Sequence, residues 1–225
     1  MATSTMSRSD REIQRDVLDA LGWEPRVRPN EIGVAVQEGV VTLSGWLDNY
    51  AEKWAAERAA HRVGRVRAVA NDIEVRLPNS AERTDPELAA AATRALEWDA
   101  FVPVNDLAVT VSNGWVVLRG EVEWEYQRRA AEGSVRRLSG VRGVTNGISV
   151  QPRERPVPDE IADRIRSALM RSVETDAEGI DIQARGDTVI LAGGVRSWLE
   201  REEAERVAWS APGVARVDNH ITVRP

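Results

Sequence analysis

The sequence has no cysteine and only two histidines, His61 and His220. The lack of thiols excludes disulfides, thiolate nucleophiles and cysteine-ligated zinc sites. No stretch approaches the roughly 18 apolar residues of a membrane-spanning helix, and the first residues lack the apolar core of a signal peptide. We therefore expect a cytoplasmic protein. The net charge of -6 disfavours nucleic acid as a partner, because phosphate binding needs a basic surface.

What the sequence does contain is a threefold internal repeat. The three copies align without a gap and span residues 10–77, 85–152 and 158–225. The remaining residues form a predicted tail and two predicted linkers, namely 1–9, 78–84 and 153–157. Each copy is long enough for a small domain, so we predict three tandem domains.

Every copy predicts the element order αββαβ. A helical stripe of apolar residues is followed by a strand with strict alternation, a two-residue turn and a second strand. A helix of small residues and a third strand complete the copy. The turns are Glu38-Gly39, Asn113-Gly114 and Gly186-Asp187. The glycine position predicts type I′ turns in the first two copies and a type II′ turn in the third. The predicted fold class is α+β, with two helices on one face of each three-stranded sheet.

Several repeated residues are predicted to be structural. Acids at the start of the first helix should satisfy free backbone amides; they are Asp10, Asp85 and Asp159. A glycine that ends the leucine-x-glycine core should allow a sharp bend or a close approach to a helix; it recurs as Gly45, Gly120 and Gly193. Glycines near the end of the second helix should act as C-caps; they are Gly64, Gly140 and Gly213.

Two further residue types recur. An asparagine on the buried side of the third strand should tie that strand to a neighbouring loop, with a ligand contact as the alternative. It recurs as Asn71, Asn146 and Asn219. Trp23 and Trp98 align at the end of the first helix and are predicted to cap the core.

The repeated pattern resembles the BON domain, an α/β module of bacterial envelope and stress proteins. The match is fullest in the second copy, where it comprises Gly114, Val116, Leu118, Gly120, Val122, Gly140, Val141, Val144, Asn146, Ile148 and Val150. The resemblance implies a non-enzymatic attachment module that binds phospholipid, with a connection to osmotic and other stress. It also implies an alternative, because some cytoplasmic relatives bind potassium.

No catalytic, cofactor or metal site is predicted. The histidines have no acidic partner that recurs between copies, and His61 should lie on the outer face of the second helix. The glycines around Gly140 lie between a helix and a strand, whereas a phosphate loop lies between a strand and a helix. Oxygens for a potassium-like ion could come from Asp48-Asn49 or Asp218-Asn219.

The candidate interaction surface lies in the second copy. Of eight tryptophans, only Trp23 and Trp98 align, so we expect several of the others at contacts between units or with a partner. The candidate lipid or partner surface is Trp115, Trp124, Tyr126, Arg128, Arg129, Arg136 and Arg137. In the alternative reading the arginines belong to a solvated helix and pair with Glu125 and Glu132.

The second copy also predicts an open sheet face, which carries Ala108, Thr110, Trp115 and Val117. Such a face needs a cover, which could be a sister unit, a second chain or a membrane. The sequence thus favours a multivalent interaction protein that binds membrane phospholipid or protein partners, including copies of itself. The alternative is a cytoplasmic ion or small-ligand sensor.

Overall fold

A computed structural model describes residues 10–153, 158–172 and 179–223. Unit 1 contains α1 (Asp10–Gly22), β1 (Ile32–Gln37), β2 (Val40–Leu47), α2 (Tyr50–His61) and β3 (Ala68–Val75). Unit 2 contains α3 (Asp85–Trp98), β4 (Leu107–Ser112), β5 (Trp115–Val122), α4 (Glu125–Arg136) and β6 (Gly143–Val150). Unit 3 contains α5 (Pro158–Arg171), β7 (Ile180–Arg185), β8 (Thr188–Val195), α6 (Trp198–Trp209) and β9 (Arg216–Val223).

Each unit forms its own three-stranded sheet with the second strand in the centre. The first two strands pair as an antiparallel hairpin, and the third strand runs parallel to the second. The parallel pair requires a crossover connection, which the second helix supplies. Alternate side chains of the central strand, such as Val116 and Leu118, are fully buried with the apolar stripe of the first helix. The predicted α+β fold class is therefore confirmed.

The repeated glycine allows two backbone segments to approach each other closely. At Gly120 the backbone has φ 134°, and a Cβ there would overlap the carbonyl oxygen of Asp106. Gly45 and Gly193 are in the same situation against Glu31 and Gly179. Asp106 ends a single 3-10 turn that leads into β4. Glycine is required because any side chain would push this turn away from the central strand.

The hairpin turns follow the predicted types. Asn113 and Gly114 both have positive φ, as a type I′ turn requires, whereas Gly186 is the only residue of its turn with positive φ. The carboxylate of Asp85 accepts hydrogen bonds from the Asn113 and Gly114 amides at 2.8 and 2.9 Å. Asp10 binds the turn of unit 1 in the same way. These acids thus satisfy amides of the hairpin rather than of the helix; the Asp159 side chain lies outside the described residues.

The predicted glycine C-caps were wrong in all three units, because the second helices are capped by Arg62, Arg137 and Ser210, before the glycines are reached. Gly140 and Gly213 adopt the left-handed conformation, but in unit 1 Arg65 does so, with φ 69°, and Gly64 does not. Arg65 is the residue that aligns with Gly140. The left-handed conformation therefore occurs at the same position in units 1 and 2, although unit 1 has no glycine there. The reason is that the entry into β3 is fixed by pairing with β2, beginning at Ala68 with Val40.

The repeated asparagine contacts a helix, and the prediction of a neighbouring loop was wrong. Asn71 Nδ2 donates to the Lys53 carbonyl and to a Glu57 carboxylate oxygen, at 3.3 and 2.9 Å. Asn146 Nδ2 donates likewise to the Arg128 carbonyl at 3.0 Å. The half-buried amide therefore connects the third strand to the second helix. These hydrogen bonds replace the ones that the amide would form with water.

Trp23 and Trp98 are exposed, at 89% and 88%, so their predicted place in the core was wrong. Each tryptophan stands two positions beyond the last buried stripe residue, which is Leu21 or Leu96. Two residues correspond to a rotation of about 200° around a helix. This rotation directs the tryptophan away from the face on which the stripe lies.

The residue that follows this position connects the end of the first helix to the second helix or its C-terminal end. It is Glu24 in unit 1, Asp99 in unit 2 and Ser172 in unit 3. In unit 1 the Glu24 carboxylate accepts hydrogen bonds from Arg26 Nε at 2.7 Å and from Arg62 Nη2 at 2.8 Å. These arginines lower the pKa of the buried Glu24 carboxyl to about 2. In unit 2 the Ser134 hydroxyl donates to Asp99, and in unit 3 the Ser172 hydroxyl donates to Glu203.

We predict that Gly120→Ala lowers the free energy of unfolding by about 3 kcal/mol or more, because the added Cβ overlaps backbone and the residue is strained. Gly133→Ala in α4 is the matched control, since nothing lies within 4 Å of the added Cβ. The control should stabilise the protein by roughly 0.5 to 1 kcal/mol through helix propensity. Urea denaturation measures both, and equal stabilities for the two variants would contradict this account.

The Glu24 contacts predict a pH-dependent stability. A carboxyl whose pKa is lower in the folded state stabilises the protein above its unfolded value of 4.5, and this stabilisation disappears as the pH falls towards 2. We expect Glu24→Gln to lose about 1 to 2 kcal/mol at pH 7, with a difference from wild type that vanishes near pH 2. Glu74→Gln removes an exposed pair with Arg76 and should change little at any pH. Thermal melts from pH 7 to 2 provide the measurement.

Candidate functional site

The three units contact one another through their second helices, α2, α4 and α6. The first residues of these helices, in chain order, are Tyr50, Glu125 and Trp198, and the last residues are His61, Arg136 and Trp209. At each junction, the first residue of one helix lies with the last residue of another. The pairs are Trp198 with His61, Tyr50 with Arg136, and Glu125 with Trp209. The repeat therefore uses the same two positions at every junction, with different side chains.

The junction of units 1 and 3 contains a half-buried aromatic pair. The rings of His61 and Trp198 lie 4.5 Å apart at an angle of 60°. Trp198 packs against the hydrophobic core of unit 1, and Arg58 Nη1 donates to both carboxylate oxygens of Glu202 at 2.8 Å. Burial lowers the pKa of His61, which favours the neutral ring. His61 contacts another unit from the second helix, so its outer-face position does not leave it exposed to solvent.

The junction of units 1 and 2 is built on a stacked arginine. The guanidinium carbon of Arg136 lies 3.6 Å from the centroid of a Trp54 ring, and the Arg136 side chain is only 13% exposed. Tyr50 packs against the core shared by units 2 and 3, and burial raises the pKa of its phenol. Arg136 therefore acts inside the protein and is not available to a membrane surface.

At the junction of units 2 and 3, the two hydrophobic cores merge into one cluster. Trp209 belongs to this cluster and is 9% exposed, and the guanidinium carbon of Arg128 lies 5.5 Å from its ring. A cavity of about 340 Å³ remains beside Trp209, with Trp124, Glu125 and Tyr126 among its walls. Burial raises the pKa of Glu125, although Arg128 and Arg129 beside it act in the opposite direction.

Next to this cavity, several aromatic side chains are exposed to solvent. Phe101 is 64% exposed and Tyr126 is 54% exposed, and their rings meet edge to face with centroids 6.0 Å apart. Trp98 stands three residues before Phe101 at the end of α3. The Asp99 carboxylate holds this segment in place, because it accepts hydrogen bonds from the Phe101 amide and the Ser134 hydroxyl. We call Trp98, Phe101, Trp124, Tyr126 and Arg129 the aromatic corner.

The structure divides the predicted surface into three places. Trp124, Tyr126 and Arg129 lie together in the aromatic corner, and Arg137 is exposed just beyond the other end of α4. Arg128 and Arg136 lie at junctions between units. Trp115 lies on the opposite face of the sheet, where its Nε1 donates to the Thr145 hydroxyl at 2.8 Å.

Sequence reasoning missed the part of this site that other segments contribute. Phe101 comes from the loop after α3, and Trp209 and Arg206 come from unit 3. The rotation beyond the helical stripe could have identified Trp98 as exposed. Trp209 is one of the non-aligning tryptophans expected at contacts between units, and the structure places it at such a contact. Its particular neighbours could not be predicted, because they depend on how the units pack.

The open sheet face of unit 2 is not covered by a sister unit within the described residues. Ala108, Thr110 and Trp115 are exposed, while the contacts between units go through the helices. Of the predicted covers, a second chain and a membrane therefore stay open. This face lies across the sheet from the aromatic corner, so the two surfaces are independent.

The oxygens considered for an ion already have other partners. Asp48 forms an ion pair with Arg28 at 2.6 Å, and the Asn49 side chain caps α2 by accepting from the Glu52 amide. Asp218 forms an ion pair with Arg216 at 2.7 Å. Among the residues that the structure describes, no group of three or more acidic or histidine side chains could hold a metal ion. In the same part of the chain, no helix is long and apolar enough to cross a membrane.

Comparison with known proteins identifies the repeated unit. The family model for the BON domain matches residues 9–76, 84–152 and 159–225. The chain belongs to the BON domain family. The predicted resemblance of all three copies is thus confirmed, and units 1 to 3 are BON domains 1 to 3.

One curated relative is the osmotically-inducible protein Y of Escherichia coli (strain K12). It is 27% identical over 146 residues, which cover 63% of this chain and 73% of the relative. Two solved structures of CdsD, a structural protein of the type III secretion system of Chlamydia trachomatis, match 94% and 97% of this chain and 91% and 100% of theirs. Their identities are 12% and 11%, with a TM-score of 0.27 in both cases. A similarity at this level supports no inference about function.

We predict that Trp198→Ala lowers the free energy of unfolding by about 2 kcal/mol, because it removes a partly buried indole from the contact between BON domains 1 and 3. Trp23→Ala is the matched control and should change stability by less than about 0.5 kcal/mol, since its side chain is exposed. Urea denaturation followed by circular dichroism makes the comparison. Equal losses in the two variants would show that the junction contributes nothing to stability.

Proposed function

We propose that this protein is a non-enzymatic, stress-related attachment protein that binds anionic phospholipid surfaces, with the aromatic corner of BON domain 2 as the contact. The observation that carries the proposal is the exposure of Trp98, Phe101 and Tyr126, with Tyr126 and Arg129 on the wall of one cavity. Aromatic rings of this kind are favoured at the boundary between lipid headgroups and acyl chains. Arginine beside them adds attraction to anionic headgroups, worth about 1 kcal/mol per charge near the surface.

The rigidity of the corner supports this role. An exposed tryptophan on a mobile loop would lose conformational freedom on binding, whereas this segment is already held by the bonds of Asp99 to Ser134 and Phe101. The exposure of the arginines supports a role for Arg129 and Arg137. Both are exposed, whereas Arg128 and Arg136 lie at the junctions, and Arg129 also lines the groove that contains Trp54 and Arg136.

The repeat supports multivalent attachment. Trp23 occupies in BON domain 1 the place that Trp98 occupies in BON domain 2, and both are almost fully exposed. A second contact on the same molecule raises the effective affinity when both can reach one surface. The connection with stress is supported by the relative named as osmotically inducible. A cytoplasmic location with peripheral attachment stays a prediction, as does the alternative of an ion or small-ligand sensor.

The test is cosedimentation with vesicles of phosphatidylglycerol and phosphatidylcholine, compared with vesicles of phosphatidylcholine alone. We expect binding to the anionic vesicles and weaker binding to the neutral ones. The double variant Trp98→Ala with Phe101→Ala should reduce the affinity roughly tenfold or more, because it removes apolar surface that enters the interface. Arg129→Gln should reduce it about fivefold on anionic vesicles only.

Trp115→Ala is the matched control, because it removes an exposed tryptophan of the same domain from the opposite face of the sheet. It should bind vesicles like the wild type. Absence of binding to both kinds of vesicle would refute the lipid proposal. A loss with Trp115→Ala as large as that with the corner variant would place the contact on the open sheet face instead.

A further inference from the structure

The junction between BON domains 1 and 3 is the one that no linker reinforces directly. Linkers join domain 1 to domain 2 and domain 2 to domain 3. Domains 2 and 3 also share one hydrophobic core, whereas domain 1 has a core of its own. The contact between domains 1 and 3 can therefore open while each domain stays folded and the other two junctions stay in place.

His61 lies at this junction, and one of its ring nitrogens is sealed from solvent. The ring packs against Trp198, with the ring centroids 4.5 Å apart. The Nδ1 atom is buried and has no hydrogen-bond partner within the part of the chain that the structure describes. A neutral imidazole can carry its proton on Nε2, whereas an imidazolium carries a proton on both nitrogens. The protonated ring would thus bury an N–H without an acceptor, which costs free energy.

The charged groups around His61 do not offset this cost. They are Glu57 and Arg58 on α2, and Arg201 and Glu202 on α6. The two carboxylates favour a proton on the ring and the two guanidiniums oppose it. Arg58 and Glu202 also bind each other, since Nη1 of the arginine lies 2.8 Å from both carboxylate oxygens. Burial of the ring is the largest cause, and it lowers the pKa of His61 below its ordinary value of 6.5.

The His61 ring regains contact with water when the junction opens. The open form then binds a proton more tightly than the closed form, so a fall in pH below about 6.5 favours opening. We infer that the contact of His61 with Trp198 is acid-sensitive: it holds domain 1 against domain 3 at neutral pH and releases it in mildly acidic solution. This goes beyond the attachment proposed above, because it concerns the arrangement of the domains and not what they bind.

Distances between equivalent sites of the domains test the inference on the whole chain. The chain has no cysteine, so fluorophores can be attached at introduced thiols. Ala35→Cys with Gln183→Cys reports on domains 1 and 3, and Ala35→Cys with Thr110→Cys reports on domains 1 and 2. These aligned residues are exposed on the sheets, away from the helices that form the junctions. Energy transfer is followed during urea titration at about pH 7.5 and about pH 5.5, the range in which histidine titrates.

We expect the distance between domains 1 and 3 to increase at a lower urea concentration in the more acidic solution, with an opening constant up to about tenfold larger. The distance between domains 1 and 2 should respond less, because neither histidine belongs to that contact. Equal midpoints at the two pH values for domains 1 and 3 would overturn the inference. A midpoint at higher urea in acid would also overturn it, because the Trp198 ring would then stabilise the imidazolium.

Circular dichroism, recorded in the same titration, separates opening of the junction from unfolding. We expect the distance between domains 1 and 3 to increase before helical signal is lost. If both distances increase together with a loss of helical signal, domain 1 unfolds instead of separating, and the inference is wrong.

His61→Phe keeps an aromatic ring against Trp198 but cannot take up a proton, so its midpoint should be the same at both pH values. The position accepts different side chains, since Arg136 and Trp209 occupy it in the other domains. His61→Gln is a second variant without a titrating group and should also lose the pH dependence. His220→Gln is the matched control, because His220 is the other histidine and is exposed on β9; it should respond like the wild type. Persistence of the wild-type shift in both His61 variants would refute the inference.

Discussion

The arrangement of the three domains depends on how the ends of their second helices pack against one another. A domain of under 70 residues buries only about 60% of the surface of its unfolded chain, and each BON domain here places both helices on one side of a small sheet. The second helix can cover its own sheet and still has its two ends exposed. In this chain the ends meet other domains, through Trp198 on His61 and Arg136 on Trp54. The candidate site, the shared core of domains 2 and 3 and the cavity beside Trp209 all result from these contacts.

The fold inside one domain could be predicted because periodicity reports it directly. Alternation with period two and a stripe with helical spacing state which side chains face inwards, and the turn residues state the hairpin type. Errors arose where the pattern ended. Trp23 and Trp98 stand just past the stripe, where rotation rather than hydrophobicity decides exposure, and Arg65 occupies a left-handed position that strand pairing imposed.

The candidate site could be predicted only in part for a different reason. Its exposed residues on α4, such as Tyr126 and Arg129, stood out because the other copies lack them. Their partners could not be found, because a residue private to one copy carries no information about which domain it meets. Phe101 and Trp209 are far apart in sequence, and only the packing of two domains brings them to the same corner.

Two arginines of α4 have different surroundings although the helix places them on the same side, two turns apart. Both line the groove that contains Trp54, but the Arg129 side chain is 50% exposed, whereas Arg136 is 13% exposed and stacks on Trp54. A stacked guanidinium is favourable where an ammonium would be poorly accommodated, since it is planar and more weakly hydrated. Removing all the arginines of α4 together would therefore weaken a domain junction and a surface at once.

The junctions between first and last helix residues are heterologous, and three of them form a closed ring. Each domain contributes the first residue of its second helix, here called the head, and the last residue, here called the tail. Every head in this chain meets a tail of another domain. One of these contacts joins domains 1 and 3, which no linker connects directly. Heterologous contacts that do not close build open filaments. A chain with two such domains would keep one unsatisfied head and one unsatisfied tail, so three is the smallest number at which this packing is self-limiting.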